Sequence, residues 1–380
     1  MPRRRSRSAS TRQELVLRGP LVIVVLLVAL VVVAAMALDV PAGVWSQPGL
    51  SEMRGSVLQA IGVSTPAPSE PTAPPRESAS SPPWYQVYFT NPRWPDHPSY
   101  HQGGIDERVV ALIGKAQRTV DVAAYELDLE SVAEALLAAK RRGVHVRLVT
   151  DTDNLEELGV EKLKAGQVPV VDDRRGALMH NKFVIVDGQH VVTGSWNLTD
   201  NCTYRNNNNA IFVNAEALAK NYSAKFNQMF NQRQFGRARK ATETTQFTIG
   251  GTLVENYFSP EDGIASRLVA LIGKAEKSIN FLAFSFTDDT IGQALIKQAK
   301  AGKTVSGVME KTGADTPYAE YNALRQAGID VLLDGNPRVM HHKVFIIDET
   351  IVVLGSFNFT QNADQDNGEN VLIVHSADVA

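Results

Sequence analysis

Two stretches of the chain repeat one combination of residues. The first, HNKFVIVDGQHVVTGSWN, occupies residues 180–197, and the second, HHKVFIIDETIVVLGSFN, occupies residues 341–358. Both follow the pattern H-x-K-x4-D-x6-G-S-x-N, in which x is any residue. Histidine, lysine, serine and asparagine side chains can hold a phosphate oxygen or move a proton, so both stretches are candidates for phosphate chemistry.

A histidine and a lysine two residues apart open each stretch. On a β-strand, side chains at i and i+2 project from the same face, so we expect His180 beside Lys182 and His341 beside Lys343. Each pair offers an imidazole that can transfer a proton and an ammonium group that can neutralise a phosphate oxygen. His342 stands at i+1, so we expect it on the opposite face, as a packing residue.

The Gly-Ser-x-Asn segment closes each stretch, at the end of the strand that returns beside the histidine. Small residues there let an anion approach the backbone, and the hydroxyl and amide groups add hydrogen-bond donors. The predicted phosphate-binding side chains are therefore the two lysines together with Ser195, Asn197, Ser356 and Asn358.

Two such sets in one cleft would supply the groups that a phosphodiester reaction needs. One histidine attacks phosphorus or activates the attacking group, and the other protonates the departing oxygen. The two lysines neutralise charge on the non-bridging oxygens. A zinc site is not expected, because lysines share the face of the histidines and no cluster of Cys, Asp or Glu stands at ligand spacing. We expect His190 and the only cysteine, Cys202, to have no catalytic role.

The elements around these stretches are also duplicated. The heptapeptide VALIGKA occurs at residues 110–116 and again at residues 269–275, and the 33 or so residues after each copy resemble one another. The period is too long for a solenoid repeat, so it indicates a duplicated domain. The predicted halves are residues 84–240 and 241–380.

Each half alternates two periodicities. Runs such as TVDVAAYEL and VHVRLVTD are apolar and rich in β-branched residues, whereas SVAEALLAAKRRG between them has helical spacing and ends at glycine. This order predicts an α/β half whose sheet is largely parallel. The runs KFVIV and HVVTG flank an Asp-Gly turn and predict a hairpin, which adds antiparallel strands and makes the sheet mixed.

The doubled pattern resembles the phospholipase D superfamily, whose members carry paired His-Lys-Asp motifs. The resemblance covers nearly all of residues 84–380. It implies two α/β halves around a shared active-site cleft, a covalent phosphohistidine intermediate, and no required metal or other cofactor. In the family the motif aspartates are mainly structural. The catalytic motif residues carried over are His180, Lys182, Asp187, His341, Lys343 and Asp348.

Downstream of the motifs, NNNNAIFV aligns with NGENVLIV, so Asn208 stands opposite Glu369. Family members often have an acidic residue here that orients the histidine. If each residue serves its own half, the Glu369 carboxylate favours a protonated His341 as the general acid and leaves His180 as the nucleophile. The frequent use of the N-terminal histidine as nucleophile in the family agrees. A pairing across the halves would reverse the argument.

The N-terminus predicts a membrane anchor. Residues 1–20 carry six arginines and one acid, and residues 21–38 are an uncharged apolar run long enough to span most of a ~30 Å hydrocarbon core. A cleaved secretory signal ending near Ala37 is the alternative. In either case the positive charges keep the N-terminus cytoplasmic and send the catalytic region to the extracytoplasmic side. Residues 39–83 end in a Pro/Ser-rich stretch that we interpret as a linker.

The sequence leaves more than one class of substrate open. Residues 84–380 hold 30 Lys and Arg against 36 Asp and Glu, which disfavours a polyanion and favours a phospholipid as substrate. A bilayer next to the anchor favours the same substrate. A metal-independent endonuclease of the same superfamily remains the alternative, because small members are often nucleases. A phosphate-binding module without activity would be favoured by a lost histidine or lysine, and neither half has lost one. Hydrolysis and transfer to another alcohol stay open, as does the oligomeric state.

Overall fold

The computed structural model describes residues 83–314 and 316–380. These residues belong to one compact unit. The predicted basic tail, the predicted transmembrane anchor and nearly all of the predicted linker lie outside the described residues. Among the helices that are described, none has the combined length and apolar character that a bilayer crossing requires.

The first half is built on a seven-stranded sheet in the spatial order β1-β7-β6-β5-β2-β3-β4. Its strands are β1 (Tyr85–Phe89), β2 (Thr119–Ala124), β3 (His145–Thr150), β4 (Val170–Asp172), β5 (Lys182–Val186), β6 (His190–Gly194) and β7 (Asn209–Asn214). Five α-helices accompany it: α1 (Ile105–Lys115), α2 (Glu130–Arg141), α3 (Leu158–Ala165), α4 (Asp200–Tyr204) and α5 (Glu216–Gln232).

The second half repeats this plan in an eight-stranded sheet in the order β12-β11-β10-β13-β14-β15-β9-β8. Its strands are β8 (Gln246–Ile249), β9 (Thr252–Ser259), β10 (Ser278–Ala283), β11 (Thr304–Met309), β12 (Asp330–Leu333), β13 (Lys343–Ile347), β14 (Ile351–Gly355) and β15 (Glu369–His375). The helices are α6 (Ile264–Ile272), α7 (Asp289–Lys300), α8 (Glu320–Gln326) and α9 (Gln361–Gln365).

The sheets are mixed, as the sequence predicts, but they are not largely parallel. Only the pairs β2/β3 and β3/β4, and their counterparts β10/β11 and β11/β12, are parallel. The motif hairpin and the strands that flank it pair antiparallel. The helical pattern between β2 and β3 requires a parallel crossover, whereas the hairpin after β4 inserts on the other side of β2 and reverses direction there.

The two sheets face each other across a shared apolar layer. On β5, Val184 and Val186 pack against the helices of their own half, whereas Phe183 and Ile185 point into a cluster that also contains residues of the second sheet. Val344 of β13 belongs to that common cluster, and Phe345 packs against the helices of the second half. Both faces of the motif strands are therefore buried, which explains their continuous apolar sequences.

Candidate active site

The four motif side chains of the histidines and lysines are buried at the junction of the two halves. His180 and His341 are 5% and 7% exposed, and they directly precede the hairpins that begin at Lys182 and Lys343. The ammonium group of each lysine donates to the carbonyl oxygen of the histidine in its own half, at 3.0 Å in both cases. The two motifs therefore form one site, as the duplication predicts.

An aromatic ring supports each pair. The ring of Tyr125 lies 5.0 Å from the ring of His180, with the Lys182 ammonium 5.1 Å from its centre. Phe284 makes the matching contacts in the second half, 4.7 Å to His341 and 4.6 Å to the Lys343 ammonium. Cation–π attraction of this kind holds a buried ammonium group without a carboxylate partner.

Each histidine is oriented by a residue of the other half. Nδ1 of His180 lies 2.8 Å from Oε2 of Glu369, and Nδ1 of His341 lies 3.0 Å from Oδ1 of Asn208. The expected pairing within each half is therefore wrong. Glu369, at the start of β15, orients the histidine of the first half, and Asn208, just before β7, orients the histidine of the second half. Because both partners are oxygen acceptors, each ring donates from Nδ1 and presents Nε2 for chemistry.

The motif serines hold these partners in place. Ser356 Oγ donates to Glu369 at 2.6 Å and Ser195 Oγ donates to Asn208 at 2.9 Å. Each hydroxyl oxygen also accepts a backbone N–H from the strand beside it. The proton of each hydroxyl is thus engaged within the protein, and phosphate binding by Ser195 and Ser356 stays a prediction.

Burial dominates the electrostatics of the centre. It lowers the pKa of His180 and His341 well below the ordinary value, and the charges of Lys182 and Lys343 lower them further. Burial also lowers the pKa of Lys182 to about 8 and raises that of Glu369 to about 8. A bound phosphate would stabilise the protonated forms of both lysines and both histidines, so the site favours an anionic ligand.

The motif aspartates lie at the far ends of the motif strands, away from the histidines. Asp187 accepts the backbone N–H groups of Gln117, Arg118 and Thr119, and Asp348 makes the same three contacts in the second half. Both occupy the hairpin turn with positive φ. These contacts hold the turn to the preceding loop, as expected from the mainly structural role that the family resemblance implies for both aspartates.

The motif asparagines line the cleft in front of the histidines. Asn197 is 5% exposed, and its Nδ2 donates to Glu126 at 2.5 Å. Asn358 takes the equivalent position in the second half. The side-chain oxygen of each has no hydrogen-bond partner among the described residues. Both oxygens are therefore buried acceptors without a donor, in side chains that line the cleft.

The cleft itself has a volume of about 550 Å³, enough for a phosphodiester and its substituents. Apart from the residues already described, its lining includes three carboxylates of the first half: Glu126, Asp128 and Glu157. Within residues 83–314 and 316–380, no group of three or more His, Cys, Asp or Glu side chains could hold a metal ion. Cys202, expected to be a bystander, is buried but contributes to the lining.

Sequence reasoning missed two residues that position the motifs. Asp151 accepts the backbone N–H of Met179, the residue before His180, at 2.7 Å, and Glu310 accepts that of Met340, before His341, at 2.6 Å. The signal was in the repeat, because LVTD and GVME close equivalent strands with an acid. Read alone, each acid resembles an ordinary strand-end residue.

The family comparison agrees with this geometry. A match to the family described as "Cardiolipin synthase, PLD-like domain" covers residues 109–230 and 268–380, one region in each half. The chain belongs to this phospholipase D-like family. Each matched region contains one of the two cross-paired histidines, His180 in the first and His341 in the second.

Similar proteins align with less than half of the length of this phospholipase D-like chain. A phospholipase D of Rickettsia typhi is 34% identical over 158 residues, which is 41% of this chain and 76% of the relative. A mitochondrial cardiolipin hydrolase of Xenopus tropicalis is 31% identical over 137 residues, 36% of this chain and 65% of the relative. Because each alignment spans less than half of this chain, the activity of these relatives does not transfer to the whole protein.

A solved structure extends the similarity of fold to both halves. The phosphatidylserine synthase of Haemophilus influenzae superposes with a TM-score of 0.57 at 14% identity, covering 77% of this chain and 82% of the other. At that identity the likeness concerns the fold alone.

Proposed function

We propose that this protein cleaves or transfers phosphodiesters of phospholipids through a phosphohistidine intermediate. The observation that carries the proposal is that His180 and His341 line one cleft beside two lysines. Nδ1 of each histidine is held by a residue of the opposite half. Two imidazoles that both present Nε2 to one cleft suit a reaction in which one ring attacks and the other handles the proton.

The reaction has two steps. Nε2 of one histidine attacks phosphorus, the bond from phosphorus to the departing oxygen breaks, and the other histidine, as imidazolium, gives its proton to that oxygen. The now neutral second ring then takes a proton from water or an alcohol, whose oxygen attacks phosphorus as the bond from phosphorus to nitrogen breaks. Lys182 and Lys343 neutralise the non-bridging oxygens in both steps.

A phospholipid fits the cleft better than a nucleic acid. Residues 84–380 carry a negative balance of charge, and the first-half wall of the cleft adds Glu126, Asp128 and Glu157. A nucleic acid would bring further phosphates against that wall, at a cost in free energy. The names of the relatives, phospholipase D and cardiolipin hydrolase, support the same class of substrate.

The proposed membrane placement follows from the sequence. The apolar run at residues 21–38 would anchor the chain, with the arginine-rich N-terminus in the cytoplasm and the catalytic region on the extracytoplasmic side. The linker would let the cleft reach the lipid surface.

The test uses the full-length protein with vesicles of labelled phospholipid and, separately, with labelled single-stranded DNA, both without divalent metal. We expect release of the labelled headgroup from vesicles, transfer of the phosphatidyl group when a primary alcohol is added, and loss of both with His341→Ala. Cleavage of DNA with intact lipid would select the nuclease alternative, and no turnover of either would favour a binding module.

A further inference from the structure

The two walls of the cleft differ in charge although the halves are duplicated. Glu126 and Asp128 follow β2, whereas the aligned positions after β10 are Ser285 and Thr287. Glu157, at the start of α3, faces the same wall and accepts the backbone N–H of Leu127 between the two acids. The cleft thus has an acidic wall in the first half and a neutral wall in the second.

The acidic wall lacks a paired cation in the described part of the chain. The charge of Lys182 acts on Glu126 at longer range, and the charge of Arg205 acts on Asp128. None of the three carboxylates forms a salt bridge within the described residues. The three carboxylates are half-buried, so their charges are less screened than those of surface groups. They also do not converge closely enough to hold a metal ion.

A second observation at the same wall concerns Asn197. Its Nδ2 donates to the Glu126 carboxylate, which can only accept, and this fixes the orientation of the amide. The oxygen Oδ1 is then left without a donor, in a side chain that is 5% exposed and lines the cleft. A buried acceptor without a partner is costly, and a ligand that brings a donor relieves it.

We infer that this wall is a subsite for a primary ammonium group on the substrate, so that the preferred phosphodiesters carry an aminoalcohol. The inference rests on the proposed phosphodiesterase function and deepens it. Three carboxylates attract the positive charge, and the N–H groups of an ammonium satisfy Oδ1 of Asn197 and the carboxylate oxygens together.

A quaternary ammonium group fits the wall less well. It has no N–H to donate, and proteins bind such groups with aromatic faces. The aromatic rings that line the cleft, Tyr125 and Phe284, already lie against Lys182 and Lys343. An anionic substituent is disfavoured by the carboxylates themselves. The wall therefore separates three classes of headgroup: primary ammonium, quaternary ammonium and anionic.

The first test compares soluble p-nitrophenyl phosphodiesters that share one leaving group and differ in the second alcohol. The full-length protein in detergent is given the 2-aminoethyl, 2-hydroxyethyl and choline esters. We expect kcat/KM for the aminoethyl ester to exceed that of the hydroxyethyl ester about tenfold, the value of one hydrogen bond to a charged group. The choline ester should gain no such advantage. Equal rates for all three, or a preference for choline, would overturn the inference.

Variants assign the preference to the wall. Glu157→Gln and Asp128→Asn keep the size and an oxygen acceptor but remove a charge, and each should lower the ratio of aminoethyl to hydroxyethyl kcat/KM severalfold. The matched control is Glu161→Gln, which removes a charge from the same helix at an exposed position outside the cleft lining. A ratio that falls equally in the control would assign the effect to net charge and refute the subsite.

Failure of the subsite and failure of the proposed function give different results. Hydrolysis of all esters without preference rejects the subsite alone, whereas hydrolysis of none rejects the function. In the second case calorimetry still decides the subsite, because phosphoethanolamine should bind at least severalfold tighter than phosphocholine. Equal affinities would reject it.

The source of the aminoalcohol is resolved by two further arms. One offers vesicles that contain phosphatidylethanolamine, and the other offers soluble glycerophosphoethanolamine. Turnover confined to the vesicles identifies a lipid headgroup as the ligand of the wall, and comparable turnover of the soluble diester identifies a water-soluble substrate. Turnover of neither, with phosphatidylglycerol vesicles cleaved instead, contradicts the inference.

Discussion

Nδ1 of His180 lies 2.8 Å from Oε2 of Glu369, a residue 189 positions away in the sequence and in the other half of the molecule. The equivalent contact of His341, with Asn208, spans 133 positions in the opposite sense. Neither half therefore contains a histidine together with the residue that orients it. This crossing decides how the two halves share the reaction.

The first prediction concerns the shared site. His180→Ala and His341→Ala should each lower kcat by at least about 10³-fold, and the double variant should cost little more, because groups that act as a unit are non-additive. His190 is a partly exposed strand residue outside the cleft lining, so His190→Ala is the control and should retain activity. Two single variants that each keep half of the rate would mean two independent sites.

The second prediction assigns the nucleophile. An ionised Glu369 behind His180 would favour imidazolium there, which would make His180 the acid and reverse the assignment based on pairing within each half. The intermediate argues the other way: a ring phosphorylated at Nε2 that keeps its Nδ1 proton is cationic, and Glu369 stabilises that charge directly. Burial and the charges of the lysines lower the pKa of His180 and His341 alike, so the resting charges do not distinguish the two rings and the stability of the intermediate decides.

We therefore expect the phosphoryl group on His180 and the proton transfer at His341. Substrate labelled on phosphorus, quenched early and mapped by peptide, should place the label on the peptide that holds His180. Glu369→Gln should reduce the amount of trapped intermediate without moving it. Label on the peptide that holds His341 would show that the resting charge governs the roles.

The third prediction concerns metal ions. In the proposed reaction Lys182 and Lys343 neutralise the charge on the phosphate oxygens that a metal would otherwise neutralise, so activity should survive excess EDTA. Turnover should be measured before and after chelation and after addition of zinc. Loss of activity with EDTA and recovery with zinc would contradict a mechanism based on Lys182 and Lys343.

The fourth prediction is a pH dependence of the headgroup preference. Burial, with help from Glu126 and Asp128, raises the pKa of Glu157 to about 7. An alkyl ammonium stays protonated over this range, so its attraction to the wall should grow as Glu157 loses its proton. The ratio of aminoethyl to hydroxyethyl kcat/KM should rise from pH 6 to pH 8, and it should stay flat in Glu157→Gln. A ratio that does not change in the wild type would leave the wall without a role.

The fifth prediction concerns the motif aspartates. Burial alone would raise the pKa of Asp187, but the backbone N–H groups of Thr119, Gln117 and Arg118 outweigh it and hold the pKa below the ordinary value. Asp187→Asn should lower the free energy of unfolding by about 1–2 kcal/mol at pH 7, measured in urea. The contribution of the carboxylate is complete above the unfolded-state pKa and is lost as pH falls through the folded-state pKa, so the two proteins should converge once the pH lies well below the folded-state pKa. A large loss of kcat in Asp187→Asn at unchanged stability would restore a catalytic role.

The sequence was sufficient for the parts of the site that are local in the chain. The His-x-Lys spacing defines a shared strand face, and the repeat shows that there are two such faces, so His180, Lys182, His341 and Lys343 could be identified without a structure. The hairpin was equally readable from Asp187-Gly188, where both residues adopt positive φ. Glu349 takes the position of Gly188 in the second half and adopts the same backbone conformation, which the sequence alone does not indicate.

Contacts between distant segments were not readable in the same way. Which histidine Glu369 serves depends on how the two sheets face each other. The continuous apolar runs of β5 and β13 indicate that both faces are buried, but they do not indicate the register between the sheets. The acidic wall was missed for a related reason. Glu126 and Glu157 are 31 residues apart and come together only through the packing of α3 against the end of β2.

The crossed pairing also gives the cleft a polarity. Two identical halves related by a rotation would put the same residue behind both histidines and the same wall on both sides, and a bound diester could then react in either orientation. Fusion into one chain lets position 208 be an amide while position 369 is a carboxylate, and lets one wall become acidic while the other stays neutral. The two ends of a diester bound in this cleft would therefore contact different residues. The orientation in which the diester binds would then determine which of its two ester bonds breaks.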